Sequence, residues 1–154
     1  MGHAEPIVIT TFNRDENTKS GTIKNIRFFN VTAKGENGVL IHGNEDNIIE
    51  DVTFENCSIE LTKTSKWQCG LYDLRPCLDY GVESYDNSAF FIRYAKDVNI
   101  RKTKTRWGNL CDSYSYAIDA ANVENLNLYE FDGKSAKENT DDIKIDRVKL
   151  NYKK

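Results

Sequence analysis

A short phrase of alternating polar and apolar residues, repeated along this chain of 154 residues, limits the possible folds more than any other feature. The phrase occurs five times, at 25–28, 51–54, 97–100, 125–128 and 147–150. Its first apolar residue lies at positions 26, 52, 98, 126 and 148, so the intervals are 26, 46, 28 and 22 residues. The outlying interval corresponds to two periods. Self-similarity on this scale indicates a repeat architecture.

Each phrase predicts a β-strand with one buried face, because its apolar residues alternate with polar ones and are mostly β-branched or aromatic. A second apolar stretch precedes each phrase, at 6–9, 38–41, 90–92, 116–118 and 143–145. The segments between the phrases lack the helical stripe that a βαβ crossover needs. The pattern therefore predicts an all-β fold: a right-handed, single-stranded parallel β-helix (a solenoid) of about five coils, forming a single domain over 1–154.

Stacked coils would place equivalent residues above one another in interior columns, about 4.8 Å apart. The first column is expected to hold Ile26, Val52, Val98, Leu126 and Val148. The second is expected to hold Phe28, Phe54, Ile100, Leu128 and Leu150. Asn30 and Asn56 follow successive strands at equivalent positions, and we expect their amides to form a short ladder.

The long interval contains residues 58–89, which form either a long lateral loop or a degenerate coil; the loop is the favoured interpretation. Five residues from this segment and the next coil are candidates for substrate binding: Trp67, Tyr72, Arg75, Tyr80 and Trp107. Aromatic rings can bury the apolar face of a sugar, and a guanidinium can pair with a uronate carboxylate. The alternative, that these aromatic side chains pack the loop onto the solenoid wall, is the favoured one.

Charge and composition exclude several classes of partner. The chain has 21 basic and 24 acidic side chains, a net charge of −3 and no basic stripe, so nucleic acid is not an expected partner. Its longest apolar run, 38–41, is too short to span a bilayer, so no membrane association is expected. Residues 1–6 lack a signal-type apolar segment, and the compartment is left open.

The four cysteines show neither C-x-x-C spacing nor a histidine-rich partner set, so the sequence predicts no metal site and no cofactor. Free thiols are the default interpretation. A disulfide between Cys69 and Cys77 is the alternative in an oxidising compartment.

Longer runs resemble a known family. The runs 21–32, 36–43 and 49–56 are similar to the downstream coils of glycoside hydrolase family 28, the polygalacturonase-like right-handed β-helix enzymes. The runs 70–77 and 90–98 also look like bacterial members, and the resemblance covers about residues 6–150. It implies an inverting attack on glycosidic bonds of pectin-type polysaccharide.

The family's catalytic motifs are an Asn-Thr-Asp, an Asp-Asp pair, a Gly-His-Gly and an Arg-Ile-Lys, and a Pro-Ile-x-Ile strand that residues 6–9 resemble follows them. By that alignment the chain starts after the catalytic coils, and no catalytic residue is predicted. Residues 139–142 spell Asn-Thr-Asp-Asp, but they lie at the wrong end and read as a solvated turn. His42 follows Ile41 rather than glycine and is not the family's histidine.

Three functions are compatible with this pattern. The first is the C-terminal part of a polygalacturonase-like glycoside hydrolase, inactive alone. The second is a carbohydrate-binding β-helix that holds a pectin-type polysaccharide or oligosaccharide. The third is a structural or assembly module, because an uncapped N-terminal coil would expose unpaired backbone groups to a second copy or a partner chain.

Overall fold

The computed structural model describes residues 5–153, and this part of the chain is all-β, with no helix. No helix that could cross a membrane is therefore found in it. The strands are β1 (Ile7–Thr10), β2 (Lys24–Phe29), β3 (Thr32–Gly35), β4 (Val39–His42), β5 (Ile49–Glu55), β6 (Ser58–Leu61), β7 (Leu71–Asp73), β8 (Val82–Ser84), β9 (Phe90–Arg101), β10 (Lys104–Trp107), β11 (Ile118–Tyr129) and β12 (Ile143–Lys153).

Ten of these strands form two parallel sheets whose strand order follows the chain. The larger sheet has two arms that share β9, β11 and β12. In the first arm, β1 pairs with β4, and β4 pairs with the first part of β9. In the second arm, β2 pairs with β5, and β5 pairs with the last part of β9. The smaller sheet has the order β3-β6-β10. The strands thus form five rows: β1–β3, β4–β6, β9–β10, β11 and β12.

The predicted first column is confirmed over four rows. Ile26 pairs with Val52, Val52 with Val98, and Val98 with Leu126. The second column begins with Phe28 and a fully buried Phe54, whose rings stack with centroids 4.7 Å apart. Like residues therefore lie over like residues in a continuous apolar core.

The predicted register is wrong in the last row. Leu126 pairs with Leu150, and Leu128 pairs with Tyr152, so Val148 and Leu150 do not occupy the columns expected for them. The discrepancy is two residues. From Leu150 onward, the side chains of β12 therefore lie on the predicted face of the sheet, but each pairs with a different residue of β11 than predicted.

The reason lies in the bend between the two arms. Strand β11 passes this bend with two left-handed residues, Asn122 and Asn125, whereas β12 has only Arg147. Val123 pairs with Val148, so Arg147 corresponds to Asn122 and β12 lacks a counterpart of Asn125. The fifth copy of the phrase, 147–150, therefore begins at the bend residue that corresponds to Asn122 rather than to Asn125.

Asparagines occupy the bends that follow β2 and β5 in the second arm. Asn30 and Asn56 both have positive φ, a conformation that asparagine tolerates better than most residues. The Asn56 amide donates a hydrogen bond to Oδ1 of Asn30 at 2.7 Å. The predicted amide ladder is thereby confirmed.

The long interval contains both a strand and a loop. Ser58–Leu61 is β6 and pairs with β3 and β10, so these four residues belong to the second row. Residues 62–89 then leave the sheets and carry the antiparallel hairpin of β7 and β8. We call residues 62–89 the lateral loop.

The start of the lateral loop is held by one carboxylate. Glu36 accepts hydrogen bonds from Lys63 Nζ, from the backbone and hydroxyl of Thr64, and from the backbone and hydroxyl of Ser65. Partial burial alone would raise the pKa of Glu36, but these donors outweigh it and hold the pKa well below its usual range.

A disulfide holds the next part of the lateral loop. It joins Cys69 to Cys111, in the connection between β10 and β11, while Cys57 and Cys77 are free. The free-thiol expectation is therefore wrong for two cysteines, and so is the alternative Cys69–Cys77 pair. Cys77 follows β7 toward the turn of the hairpin, whereas Cys69 precedes β7 at its base, beside the neighbouring row.

Candidate functional site

The lateral loop packs its hairpin on the outer face of the first arm. Leu40 and Phe91 point away from the main core and, with Tyr72 and Leu74 of the loop, form a second, small apolar cluster. The ring of Tyr72 stacks on that of Phe91, with centroids 4.9 Å apart. The outer face is thus covered where the loop lies and open beside it.

Two of the predicted substrate-binding residues belong to this cluster. Tyr72 has no exposed surface, so the expectation that it lies on an exposed rim is wrong. Tyr80 is half-buried, and its ring lies 5.1 Å from those of Phe12 and His42. For Tyr72 the alternative interpretation, packing of the loop onto the wall, is confirmed, and Tyr80 also contacts the wall through Phe12 and His42.

The other three predicted residues lie elsewhere. Trp67 is 64% exposed in the lateral loop. Arg75 is exposed, and Asp73 holds its guanidinium through two hydrogen bonds of 2.8 and 2.7 Å. Trp107 is on β10 of the smaller sheet, where it packs on Tyr114. The five residues therefore do not form one rim, although any role of Trp67, Arg75, Tyr80 or Trp107 in binding a ligand stays a prediction.

Beside the loop, a row of charged side chains crosses the outer face of the first arm. Phe91, Asp119 and Lys144 are register partners on β9, β11 and β12. Arg93 Nη2 lies 2.8 Å from one carboxylate oxygen of Asp119, and Lys144 Nζ lies 3.4 Å from the other. Arg93 also donates to the backbone carbonyl of Asp119 at 3.0 Å. We call Arg93, Asp119 and Lys144 the charged row.

Burial differs along the charged row. The Asp119 side chain is only 5% exposed, while that of Lys144 is 50% exposed. A buried carboxylate needs paired cations, so Asp119 orients both of them. The Arg93 guanidinium lies 3.8 Å above the Phe91 ring, and Lys144 Nζ lies 5.3 Å from the ring of Tyr116. The exposed end of the charged row therefore places the Lys144 amine, paired on one side with Asp119, beside the aromatic ring of Tyr116, which suits an anionic sugar.

His42 lies under the loop rather than in the open face. It is 3% exposed, and its Nδ1 lies 2.7 Å from the carbonyl oxygen of Gly43, so Nδ1 carries the proton that it donates. Burial, and secondarily the charge of Arg93, lower the pKa of His42 to about 4. It is a neutral, structural histidine at pH 7.

The carboxylates of Asp119 and Asp142 are both held by neighbouring groups. Asp119 is held by two cations, and Asp142 of the Asn-Thr-Asp-Asp run accepts hydrogen bonds from Lys134 Nζ and the backbone of Ser135. Within residues 5–153 there is also no group of three His, Cys, Asp or Glu side chains that could hold a metal ion.

The repeated phrases do not reveal the charged row, because its residues adjoin apolar stretches whose pattern predicts only core. Arg93, Asp119 and Lys144 all occupy outward positions of the strand that precedes each repeated phrase. Aligning those preceding strands to one another, and not only the phrases, would have brought them together.

Comparison with known proteins found no matching family model, no matching curated protein and no matching solved structure. The chemistry of the described surfaces is therefore the basis for any functional conclusion.

Proposed function

We propose that this chain is a right-handed parallel β-helix that forms the C-terminal part of a polygalacturonase-like glycoside hydrolase, where it contacts pectin-type polysaccharide without cleaving it. The β-helix is supported by two parallel sheets whose strands follow the same row order. Only residues 36–38 separate β3 from β4, so one row passes directly into the next. Parallel crossovers are right-handed almost without exception, which sets the hand of the coil.

The observation that carries the saccharide contact is the charged row. Asp119 fixes Arg93 and Lys144, and the half-exposed Lys144 amine keeps donors free for a ligand. A uronate carboxylate would pair with that amine while its ring lies against Tyr116. Pectin-type chains carry such carboxylates along their length.

The Asp119 carboxylate also gives a reason to expect no hydrolysis. An inverting glycosidase needs two carboxyl groups about 6.5–9.5 Å apart, one of them protonated and one free to activate water. Asp119 is committed to two cations, Arg93 and Lys144, which occupy both of its oxygens.

The test combines binding and cleavage. Calorimetry should detect binding of oligogalacturonides, and Lys144→Gln should weaken it about fivefold by removing one exposed charge. Lys104→Gln removes an exposed charge on β10 and serves as the control. Arg93 is avoided because loss of one partner from a buried pair typically costs about 3–5 kcal/mol of stability.

Two results would contradict the proposal. Release of reducing ends from polygalacturonate by the purified chain would show that it is catalytic by itself. Equal affinities of the parent and Lys144→Gln for oligogalacturonides would show that the charged row is not the binding surface.

An assembly module is a second candidate. Within residues 5–153, β1 and β2 each have a strand neighbour on one side only. Unpaired backbone groups on such an edge can be covered by a preceding row of a longer chain, by a partner chain or by a second copy.

A further inference from the structure

A second polar surface lies on the outer face of the second arm, away from the lateral loop. Asn99, Asn127 and Asn151 are register partners on β9, β11 and β12. The Asn127 amide donates to Oδ1 of Asn99 at 3.1 Å, and the Asn151 amide donates to Oδ1 of Asn127 at 2.8 Å. This second amide ladder, separate from that of Asn30 and Asn56, fixes the orientation of all three side chains.

A column of cations and one aromatic ring runs beside the ladder. Arg101, Tyr129 and Lys153 are register partners two residues further along the same strands. All three are exposed, Tyr129 to 43%. Because rows are about 4.8 Å apart, the backbone positions of the two cations are separated by about 10 Å, with the ring between them. We call the two columns together the ladder face.

The ladder face lines a groove of about 740 Å³. Lys102 adds a third cation to the lining, while Glu55 is its one carboxylate. Between residues 5 and 153, Arg101, Lys102 and Lys153 form no ion pair. The groove is therefore a cationic patch on a chain whose overall charge is −3.

We propose that the ladder face binds a polyuronate chain that lies along the stack of rows. One pyranose ring packs on Tyr129, and carboxylates on either side pair with Arg101 and Lys153. The ring hydroxyls bind the ladder amides. This inference rests on the proposed function in taking a saccharide as the ligand, but its surface is separate from the charged row.

The chemistry of the ladder selects hydroxyl-bearing anions. Each ladder amide has two N–H donors, and Asn127 uses one of them on Asn99. The second donor and a carbonyl lone pair stay available to neighbouring sugar hydroxyls. Two cations in one narrow column, with Lys102 beside them, give little counterion release on a DNA duplex, whereas they match the regularly spaced carboxylates of a single polyuronate chain.

The experiment compares four probes by calorimetry: polygalacturonate, alginate as a non-pectic polyuronate, a neutral galactan and duplex DNA. The double variant Arg101→Gln/Lys153→Gln should bind both polyuronates at least about tenfold more weakly. Tyr129→Ala should weaken them about fivefold by removing the ring platform. The control Lys19→Gln/Lys104→Gln, which removes two exposed charges elsewhere, should stay within about twofold of the parent.

The outcomes separate this inference from the proposed function. Parent-like affinity of Arg101→Gln/Lys153→Gln overturns the inference, even if Lys144→Gln still weakens binding. Alginate binding that depends on the ladder face, without polygalacturonate binding, supports the inference and contradicts the pectin proposal. Absence of binding to either polyuronate overturns both, and tighter binding to duplex DNA than to the polyuronates overturns the inference.

A measurement on the parent chain guards against a variant that fails to fold. Amide hydrogen exchange should slow at 99–101, 127–129 and 151–153 when polyuronate is added. Protection confined to other parts of the chain overturns the inference.

Discussion

Left-handed residues mark the bends of every row. Between residues 5 and 153, twelve non-glycine residues have positive φ, and eight of them are asparagine or aspartate. Their short polar side chains tolerate this conformation better than others do. Two of the four exceptions, Lys102 and Glu130, follow their strands just as Asn30 and Asn56 do. The position in the row thus imposes the conformation, and residue type only lowers its cost.

His42 predicts how stability depends on pH. Its pKa falls from 6.5 in the unfolded chain to about 4 in the folded one, mainly because it is buried. The unfolded state therefore takes up the proton first. The contribution is fully present above pH 6.5, declines as the pH falls and is lost below pH 4, a difference on the order of 3 kcal/mol.

The measurement is urea unfolding of the parent and of His42→Gln between pH 7 and pH 4. The gap between their unfolding free energies should shrink or reverse as the pH falls. His3→Gln, which removes the chain's other histidine, is the control and should follow the parent. A gap that is constant with pH would show that folding does not lower the pKa of His42.

At the scale of elements, the lateral loop depends on attachments that are far apart in sequence. Glu36 lies 28 residues from Thr64, and the disulfide spans 42 residues between Cys69 and Cys111. Such a closed loop restricts the unfolded chain strongly. The hairpin can therefore cover Phe91 although it contributes only two short strands.

Removal of the disulfide tests this attachment. Loop-closure entropy for 42 residues predicts that Cys69→Ser/Cys111→Ser unfolds about 4 kcal/mol more easily, measured with urea. Cys77→Ser is the control because Cys77 is free, and it should stay within about 1 kcal/mol of the parent. If a reducing agent leaves the parent's unfolding midpoint unchanged, the bond does not constrain the loop.

At the scale of the whole molecule, the edges of the sheets decide how the chain associates. On the β1 side of the larger sheet, Val8 is 47% exposed on an edge strand. An edge strand without a charge in its centre is a template for pairing with another strand.

We expect the isolated chain to self-associate through this edge, with a light-scattering mass that rises with concentration above the monomer value of 17.7 kDa. Val8→Lys should restore the monomer, because a symmetric pair would bring two like charges together. Val82→Lys, an exposed substitution in the lateral loop, is the control. A monomer at every concentration would contradict pairing of two copies.

Sequence alone determined what repeats locally. Alternation with a period of two predicted the strands, and similar phrases at similar intervals predicted the column from Ile26 to Leu126 and the ladder of Asn30 and Asn56. These features depend on a few neighbouring residues in each row, so the sequence of each phrase is enough to predict them.

Only the tertiary structure decided which distant residues meet. The register of the last row depends on how many residues pass its bend, the partner of Cys69 depends on where the lateral loop lies, and Tyr72 is buried because the hairpin folds onto Phe91. The charged row and the ladder face likewise join residues from three rows. Their assembly follows from packing between rows, which no single stretch of sequence encodes.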